Sequence, residues 1–214
     1  MKSLMQILSI VAVLSFTFSL NGQIKFGFKG GVSSFDLKPG DLIISSNEDL
    51  KQFGLKVDQA DLGIHFGIMT QFNFANLFIQ PEVLLNSNSV NYRVTDFSSP
   101  QVGEELLKEK YQHVDIPIII GARLGPLRIG GGPTGHVFIN STSELFKFSE
   151  YSQVFKNITY GWQAGLGLDL WSVHLDIRYE GNFAKFGEHI VWNGQSYNFD
   201  KSPARILASV GITL

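Results

Sequence analysis

The chain has 214 residues, no cysteine, 22 glycines, 18 phenylalanines and a formal net charge of -2. Charged residues make up 17% of it, below the roughly 25% of an ordinary soluble domain, and hydrophobic residues reach 44%. The lack of cysteine excludes a disulfide scaffold, a thiolate metal site, a thiol nucleophile and a lipid-modified N-terminal cysteine, and the near-neutral balance argues against a nucleic-acid surface, which would be a basic stripe.

Residues 1–22 read as a secretory signal peptide. Lys2 supplies the positive start, an apolar run follows from Leu4 to Leu20, and Gly22 precedes the change of polarity at Gln23. Leu20 stands where a small residue is preferred. An uncleaved anchor is the alternative, but the run is short for a span of about 20 residues. No later window offers about 18 continuous apolar residues. The remainder, 23–214, is expected to be exported, and to be either soluble or a β-barrel.

Strand patterning begins at once. From 23 to 35, Ile24, Phe26, Phe28 and Val32 alternate with Lys25, Lys29 and Ser33. Successive side chains of a strand face opposite sides, so this segment has one apolar and one polar face. The split recurs over 61–72, where Leu62, Ile64, Phe66 and Ile68 oppose His65 and Gln71. Over 77–90, Leu77, Ile79, Val83 and Leu85 oppose Gln80, Glu82 and Asn86. Over 113–123, Val114, Ile116, Ile118 and Ile120 oppose His113, Asp115 and Arg123. The segment 127–139 is weaker and glycine-rich. Over 159–170, Tyr160, Trp162, Leu166, Leu168 and Leu170 oppose Gln163 and Asp169. The clearest alternation is 172–183, with Val173, Leu175, Ile177, Tyr179 and Phe183 against His174, Asp176, Arg178, Glu180 and Asn182. The last strand, 204–214, sets Ile206, Ala208, Val210, Ile212 and Leu214 against Arg205, Ser209 and Thr213.

Eight strands result, joined by connections of alternating length. Long ones cover 36–60, 91–111, 140–158 and 185–203, and short ones lie near 73–76, 124–126 and 171–172. Even strand number with long loops at one end and short turns at the other is the rhythm of a bacterial outer-membrane barrel. A two-residue turn at Trp171–Ser172 predicts that Asp169 faces His174, Gly167 faces Asp176, Gly165 faces Arg178 and Gln163 faces Glu180. All eight then share the polar face, and a slip of one residue would put charges opposite leucines.

A soluble barrel keeps its apolar face inside, whereas an outer-membrane barrel inverts this. The polar face carries Lys25, Lys29, Arg123, Arg128, Arg178 and Arg205 against Glu82, Asp115, Asp169, Asp176 and Glu180. Such a balance suits a closed lumen filled by ion pairs, since an unpaired charge there is costly. Glu180 and Arg205 are expected to pair, and His174 to join the same network as Lys29, Glu82, Asp115 and the rest. Phe72, Phe74 and Trp171 near the short turns, and Phe35, Tyr160, Trp162 and Phe183 near the long loops, are candidate interfacial girdles. A soluble lipocalin-type carrier also has eight strands, but leaves the long loops and terminal aromatics unexplained.

Motifs for chemistry are few. Gly130–Gly135 matches G-x-G-x-x-G formally, yet Pro133 and the strand-like 136–139 segment argue against the helix that a dinucleotide needs. None of the five histidines (His65, His113, His136, His174 and His189) is paired at i, i+4, so no helical zinc motif exists. Asp169, His174 and Asp176 could imitate part of an acid–base site, which keeps an outer-membrane hydrolase as an alternative. Asn140 and Asn157 start glycosylation sequons of the kind frequent by chance. Pro81 and Pro117 lie inside strands and predict bulges or kinks, and Ser46–Asp49 before Leu50 is a weak helix cap.

Several stretches resemble the PorT-like outer-membrane β-barrel proteins of Gram-negative bacteria: Gln23-Ile-Lys-Phe-Gly-Phe-Lys-Gly-Gly, Leu77-Phe-Ile-Gln-Pro-Glu-Val-Leu-Leu, Val114-Asp-Ile-Pro-Ile-Ile-Ile, and Gly165-Leu-Gly-Leu-Asp-Leu followed by Leu175-Asp-Ile-Arg-Tyr-Glu. The resemblance spans 23–214 and implies an eight-stranded antiparallel up-and-down transmembrane barrel, in some members linked to protein secretion. It brings no catalytic residues. The chain ends in Leu214, where such barrels usually have an aromatic residue. The expectation is a monomeric barrel in the outer membrane with no cofactor and no nucleic-acid partner, contacting lipid through its wall and envelope or secretion proteins through its loops.

Overall fold

The computed structural model describes residues 23–35, 42–45, 52–96, 103–147, 151–153, 158–183, 190–192, 195–197 and 204–214. The segment 1–22, the proposed cap at Ser46–Asp49, Asn157 and His189 lie outside them. Thirteen strands run in chain order: β1 Gln23–Phe35, β2 Leu42–Ser45, β3 Gln52–Ala60, β4 Gly63–Phe74, β5 Leu77–Asp96, β6 Gly103–Leu124, β7 Leu127–Ser143, β8 Tyr151–Gln153, β9 Ile158–Leu170, β10 Val173–Asn182, β11 Ile190–Trp192, β12 Gln195–Tyr197 and β13 Ala204–Thr213. A 3-10 turn covers Glu144–Lys147.

Eight of these strands close a ring in the order β5-β4-β1-β13-β10-β9-β7-β6, with β6 pairing back onto β5. All pairings in the ring are antiparallel. This is the eight-stranded up-and-down barrel that the alternation predicts. The β9–β10 register is the predicted one: Asp169 faces His174, Gly167 faces Asp176, Gly165 faces Arg178 and Gln163 faces Glu180. A Cβ on Gly165 would lie 2.2 Å from the Ile177 carbonyl oxygen and 2.7 Å from the Arg178 Cα, so the wall has no room there for a larger residue.

Three two-residue turns close one end of the barrel, and each opens with a residue at positive φ: Ala75 at 51°, Gly125 at 63° and Trp171 at 56°. Tight hairpins favour this geometry because its twist matches that of the strands, and glycine adopts it without cost. Ala75 and Trp171 adopt it under strain.

The wall is inverted relative to a soluble barrel. Phe26, Phe28, Ile64, Phe66, Ile68, Ile118, Ile120, Ile177, Ile206 and Ile212 are exposed on the outside, whereas Lys29, Glu82, Asp115, Arg128, Asp176, Arg178, Glu180 and Arg205 are buried inside. That distribution excludes the soluble carrier: its apolar exterior would face water. Trp162 and Tyr179 pack at 5.6 Å between ring centroids on the outer face near the long-connection end.

Two expectations need correction. The described parts of the long connections are largely strands, not loops. Strands β5 and β6 continue past 90 and start before 113, pairing Val90 with Glu109, Tyr92 with Leu107 and Val94 with Glu105. The segment 36–60 contains the β2–β3 hairpin, which joins the free side of upper β5. Parts of 140–158 and 185–203 form the small β12-β11-β8 sheet. Nor do the prolines make bulges. Register holds across Pro81 and Pro117, with ladder pairs merely skipped beside them, as the missing N–H requires. The bulges fall elsewhere, at Gln112/His113 opposite β7 and at Val57/Gln59 of β3.

Candidate functional site

The interior polar residues form three stacked groups. Nearest the short turns, Asp169 accepts from Arg128 Nε at 2.6 Å and Arg123 Nη2 at 3.1 Å. His174 Nδ1 lies 2.7 Å from the same carboxylate, and its Nε2 lies 3.0 Å from Thr213 Oγ1. Arg123 Nη1 donates to Asn73 at 2.9 Å. Arg128 reaches up to Gln80 Oε1 and to Asp176 Oδ1 while its guanidinium stands over Phe78, 5.5 Å from the ring centroid.

In the middle group, Lys29 Nζ sits 2.9 Å from both Glu82 Oε1 and Asp176 Oδ2. Arg178 Nη2 donates to Glu82 at 2.7 Å and lies 3.5 Å from Asp176. Gln80 also donates to Glu82, and Gln163 Oε1 accepts from Arg178 Nη1. Glu82 is therefore the hub of this layer.

In the upper group, Arg205 holds Glu180 through Nε at 2.6 Å and Nη2 at 3.0 Å, and donates from Nη2 to Asp115 at 2.6 Å. Asn86 donates to Asp115 and Asn88 to Asn86. His136 Nδ1 lies 2.7 Å from Asp115 Oδ1. Bidentate arginine–carboxylate contacts of this kind fix orientation as well as charge. Each group links strands that are far apart in sequence, so the network braces the ring across its hollow.

All eleven residues expected in the network face the interior, and every one of them makes an ion pair or a hydrogen bond within it: Lys29, Glu82, Asp115, Arg123, Arg128, Asp169, His174, Asp176, Arg178, Glu180 and Arg205. The imagined Asp169, His174 and Asp176 cluster is not formed as a unit. Asp176 belongs with Lys29 and Arg178, and Thr213 takes its place beside His174. The order Asp169, His174, Thr213 has the polarity of a proton relay. Two arginines already occupy Asp169, however, and His174 is almost wholly buried, so no substrate atom reaches the imidazole.

Sequence reasoning missed four interior features. Phe78, Met69 and Ile119 fill the lower lumen with apolar bulk, their inward parity being hidden by neighbours that are also apolar. His136 enters through the glycine-rich β7, whose alternation is weak. The Asp115, His136 and Glu180 ligand atoms lie within 4.8 Å of one another. Above the lumen, Tyr92 and Tyr111 share a hydrogen bond of 2.8 Å, and Tyr111 donates to Glu109 at 3.1 Å. Burial, with Tyr92 and Glu109 alongside, pushes the Tyr111 phenol well above its usual value. Gly130–Gly135 lies within β7 and opens no helix, which removes the dinucleotide reading.

An eight-stranded ring leaves an interior that side chains can fill, and among the described residues the void beside Gly165, Gly167, Arg128 and Asp176 is barely one water wide. Comparison with the curated proteins gives no match. Among solved structures, the chain is similar to the outer membrane protease OmpT from Escherichia coli, at 11% identity, over 94% of this chain and 100% of that one, with a TM-score of 0.42. A similarity that low carries no activity across. The model of the outer membrane protein beta-barrel domain matches residues 15–186, and with this the protein is placed in the outer membrane: the chain belongs to the outer membrane protein beta-barrel domain family.

Proposed function

We propose that this barrel is a non-conducting scaffold of the PorT-like kind that works through the structure it raises above the membrane, as an interaction or secretion-associated protein. The observation that carries the reading is the contrast between a blocked lumen and a built extension. Ion pairs among Lys29, Glu82, Asp176 and Arg178 cross the hollow of the ring. Upper β5 and β6, flanked by β3 and upper β7, stand clear of the ring as a sheet with its own apolar core. Loops and extensions held on a rigid scaffold are where binding usually resides. The resemblance around Pro81-Glu82 and Val114–Ile120 supports the PorT-like assignment, and the partners are envelope or secretion proteins meeting the regions 36–60, 91–111, 140–158 and 185–203. The barrel itself is read as a monomer.

The test is photocrosslinking in native outer membranes. A crosslinker at Leu106, on the outer face of the extension, is expected to give a discrete protein adduct, whereas one at Ile68 on the lipid-facing wall gives none. Identical patterns at both positions would remove the scaffold reading. Reconstitution in planar bilayers supplies the second arm: stable single-channel currents from the wild type would show that the lumen conducts.

A further inference from the structure

The charges of the lumen are not evenly shared among its layers. In the two lower groups, Arg123, Arg128, Lys29 and Arg178 meet Asp169, Asp176 and Glu82. In the upper group, Arg205 is the one arginine or lysine among the described residues that meets Asp115 and Glu180, so these groups carry one surplus negative charge when His136 is neutral. A surplus charge in a water-poor interior is costly and favours binding of a cation.

A ligand atom is aimed at the deficit. His136 Nδ1 is held by Asp115 at 2.7 Å, and its Nε2 is buried without a hydrogen-bond partner. Glu180 Oε1 lies 3.8 Å from it, too far for a hydrogen bond. That distance suits a bridging ion. Metal–nitrogen and metal–oxygen bonds of about 2.0–2.2 Å span close to 3.4 Å at a tetrahedral angle and about 3.8 Å when the angle opens. A carboxylate holding the far ring nitrogen is also how metal-ligating histidines are commonly oriented, since it fixes the tautomer and raises the basicity of the ligating nitrogen. Position 161 beside the imidazole is glycine: a Cβ there would come within 2.6 Å of the Gly181 carbonyl oxygen, 2.8 Å of Asn182 Oδ1 and 3.3 Å of His136 Nε2, so a larger residue would crowd the ring. His136 keeps 8% of its side chain exposed, while its Nε2 and the Glu180 side chain are buried. The hydroxyl of Thr134, two residues below on the same face, is likewise buried without a partner.

We propose that the upper lumen is a binding site for a divalent cation of the zinc class, with His136 Nε2 and Glu180 as protein ligands, water completing the shell, and Asp115 orienting the imidazole. Imidazole with a carboxylate suits zinc and its neighbours better than calcium or magnesium, which take oxygen ligands. Arg205 stays on Glu180 and Asp115 and offsets the second carboxylate, which limits affinity but keeps the ligands in place.

The experiment uses the protein purified in detergent from outer membranes, without a histidine tag and stripped with chelator. Titration with Zn2+ by calorimetry is expected to show one equivalent bound, and Co2+ to give a visible absorption band that Zn2+ abolishes. His136→Gln is expected to eliminate the saturable phase, and Asp115→Asn to weaken it about 10–100-fold, with folding read from heat-dependent gel migration. His174→Gln leaves binding unchanged. X-ray absorption of the zinc-loaded wild type needs no variant and is expected to show one imidazole in a nitrogen/oxygen shell. No saturable binding by the folded wild type at millimolar Zn2+, unchanged affinity in folded His136→Gln, or two or more imidazoles in the absorption spectrum would each overturn the proposal. The same holds if stability follows pH through the histidine range but ignores Zn2+, because the occupant is then a proton.

Discussion

The barrel lumen and the extension above it share strands but fill their interiors in opposite ways. Along β5, alternate residues point inward from Phe78 to Val94 without a break in parity. Inside the membrane these are mostly polar, Gln80, Glu82, Asn86 and Asn88 with Phe78 and Leu84 among them, and beyond it they become Val90, Tyr92 and Val94. In β6 the inward set runs from Ile119, Pro117 and Asp115 to Tyr111, Glu109 and Leu107, and the change is carried by the outward set, which passes from Ile120, Ile118 and Ile116 to Gln112, Lys110 and Lys108. The polarity inverts where the solvent outside the wall changes from lipid to water. Apolar side chains go outward where lipid receives them and inward where it does not. One continuous strand pair thus marks the membrane boundary near residues 88–90 and 111–113.

This contrast predicts different costs for damage in the two regions. Arg205→Ala would strand Asp115 and Glu180 in the lumen, and is expected to cost about 3–5 kcal/mol of barrel stability, measured by denaturant unfolding in detergent. If Arg205→Met costs as much as Arg205→Ala and both cost under about 1 kcal/mol, the lumen network does not hold the ring. Leu107→Ala removes a buried apolar side chain from the extension, with an expected local loss of about 2–4 kcal/mol. Its signature is proteolytic cleavage within 91–111 while the barrel keeps its heat-dependent gel migration; joint collapse of both would show a single cooperative unit.

Smaller effects probe the edges of each region. Ala75→Gly relieves positive φ in a turn and is expected to stabilise the barrel by up to about 1 kcal/mol, whereas a loss would show that the Ala75 methyl makes packing that the strain offsets. Outside the membrane, the Lys108 ammonium, 2.6 Å from Asp61, holds that carboxyl below its usual range. A depressed folded pKa contributes stability that is present above the unfolded value and lost as pH falls through the folded one. The pair is exposed, so Lys108→Ala should cost under about 0.5 kcal/mol at neutral pH, and nothing once Asp61 is protonated. Protease resistance of the extension against pH measures it, and an effect that grows toward acid would reverse the assignment.

Much of the barrel was legible because its rule is local. In 172–183 the apolar residues all face lipid, and in 204–214 all but the buried Leu207 and the half-buried Ala204 follow the outward parity, so parity assigns the wall, and a two-residue turn sets the register of β9 on β10. The extension was missed at the same residues where its polarity flips. Alternation continues through Asn91, Tyr92, Arg93 and Val94, but with its phase exchanged, so a search for apolar-outward strands stops at Val90. Thr213 beside His174 could not be read from spacing, since β10 and β13 are joined by a long connection, whereas His136 opposite Asp115 follows from the two-residue turn between β6 and β7 and was hidden by the weak alternation of β7.

The sequence by itself determined the strand number, which face meets lipid, and which charges lie inside, because side-chain parity is a property of each strand alone. Glu180 with Arg205 was read from neighbouring strands, but only the tertiary structure decided which charges meet across the ring. Arg178 reaches Glu82 across 96 positions and Arg205 reaches Asp115 across 90. Those contacts follow from closure of the ring and the stagger accumulated around it. The same closure leaves one layer of the lumen a positive charge short and aims a histidine nitrogen at the gap.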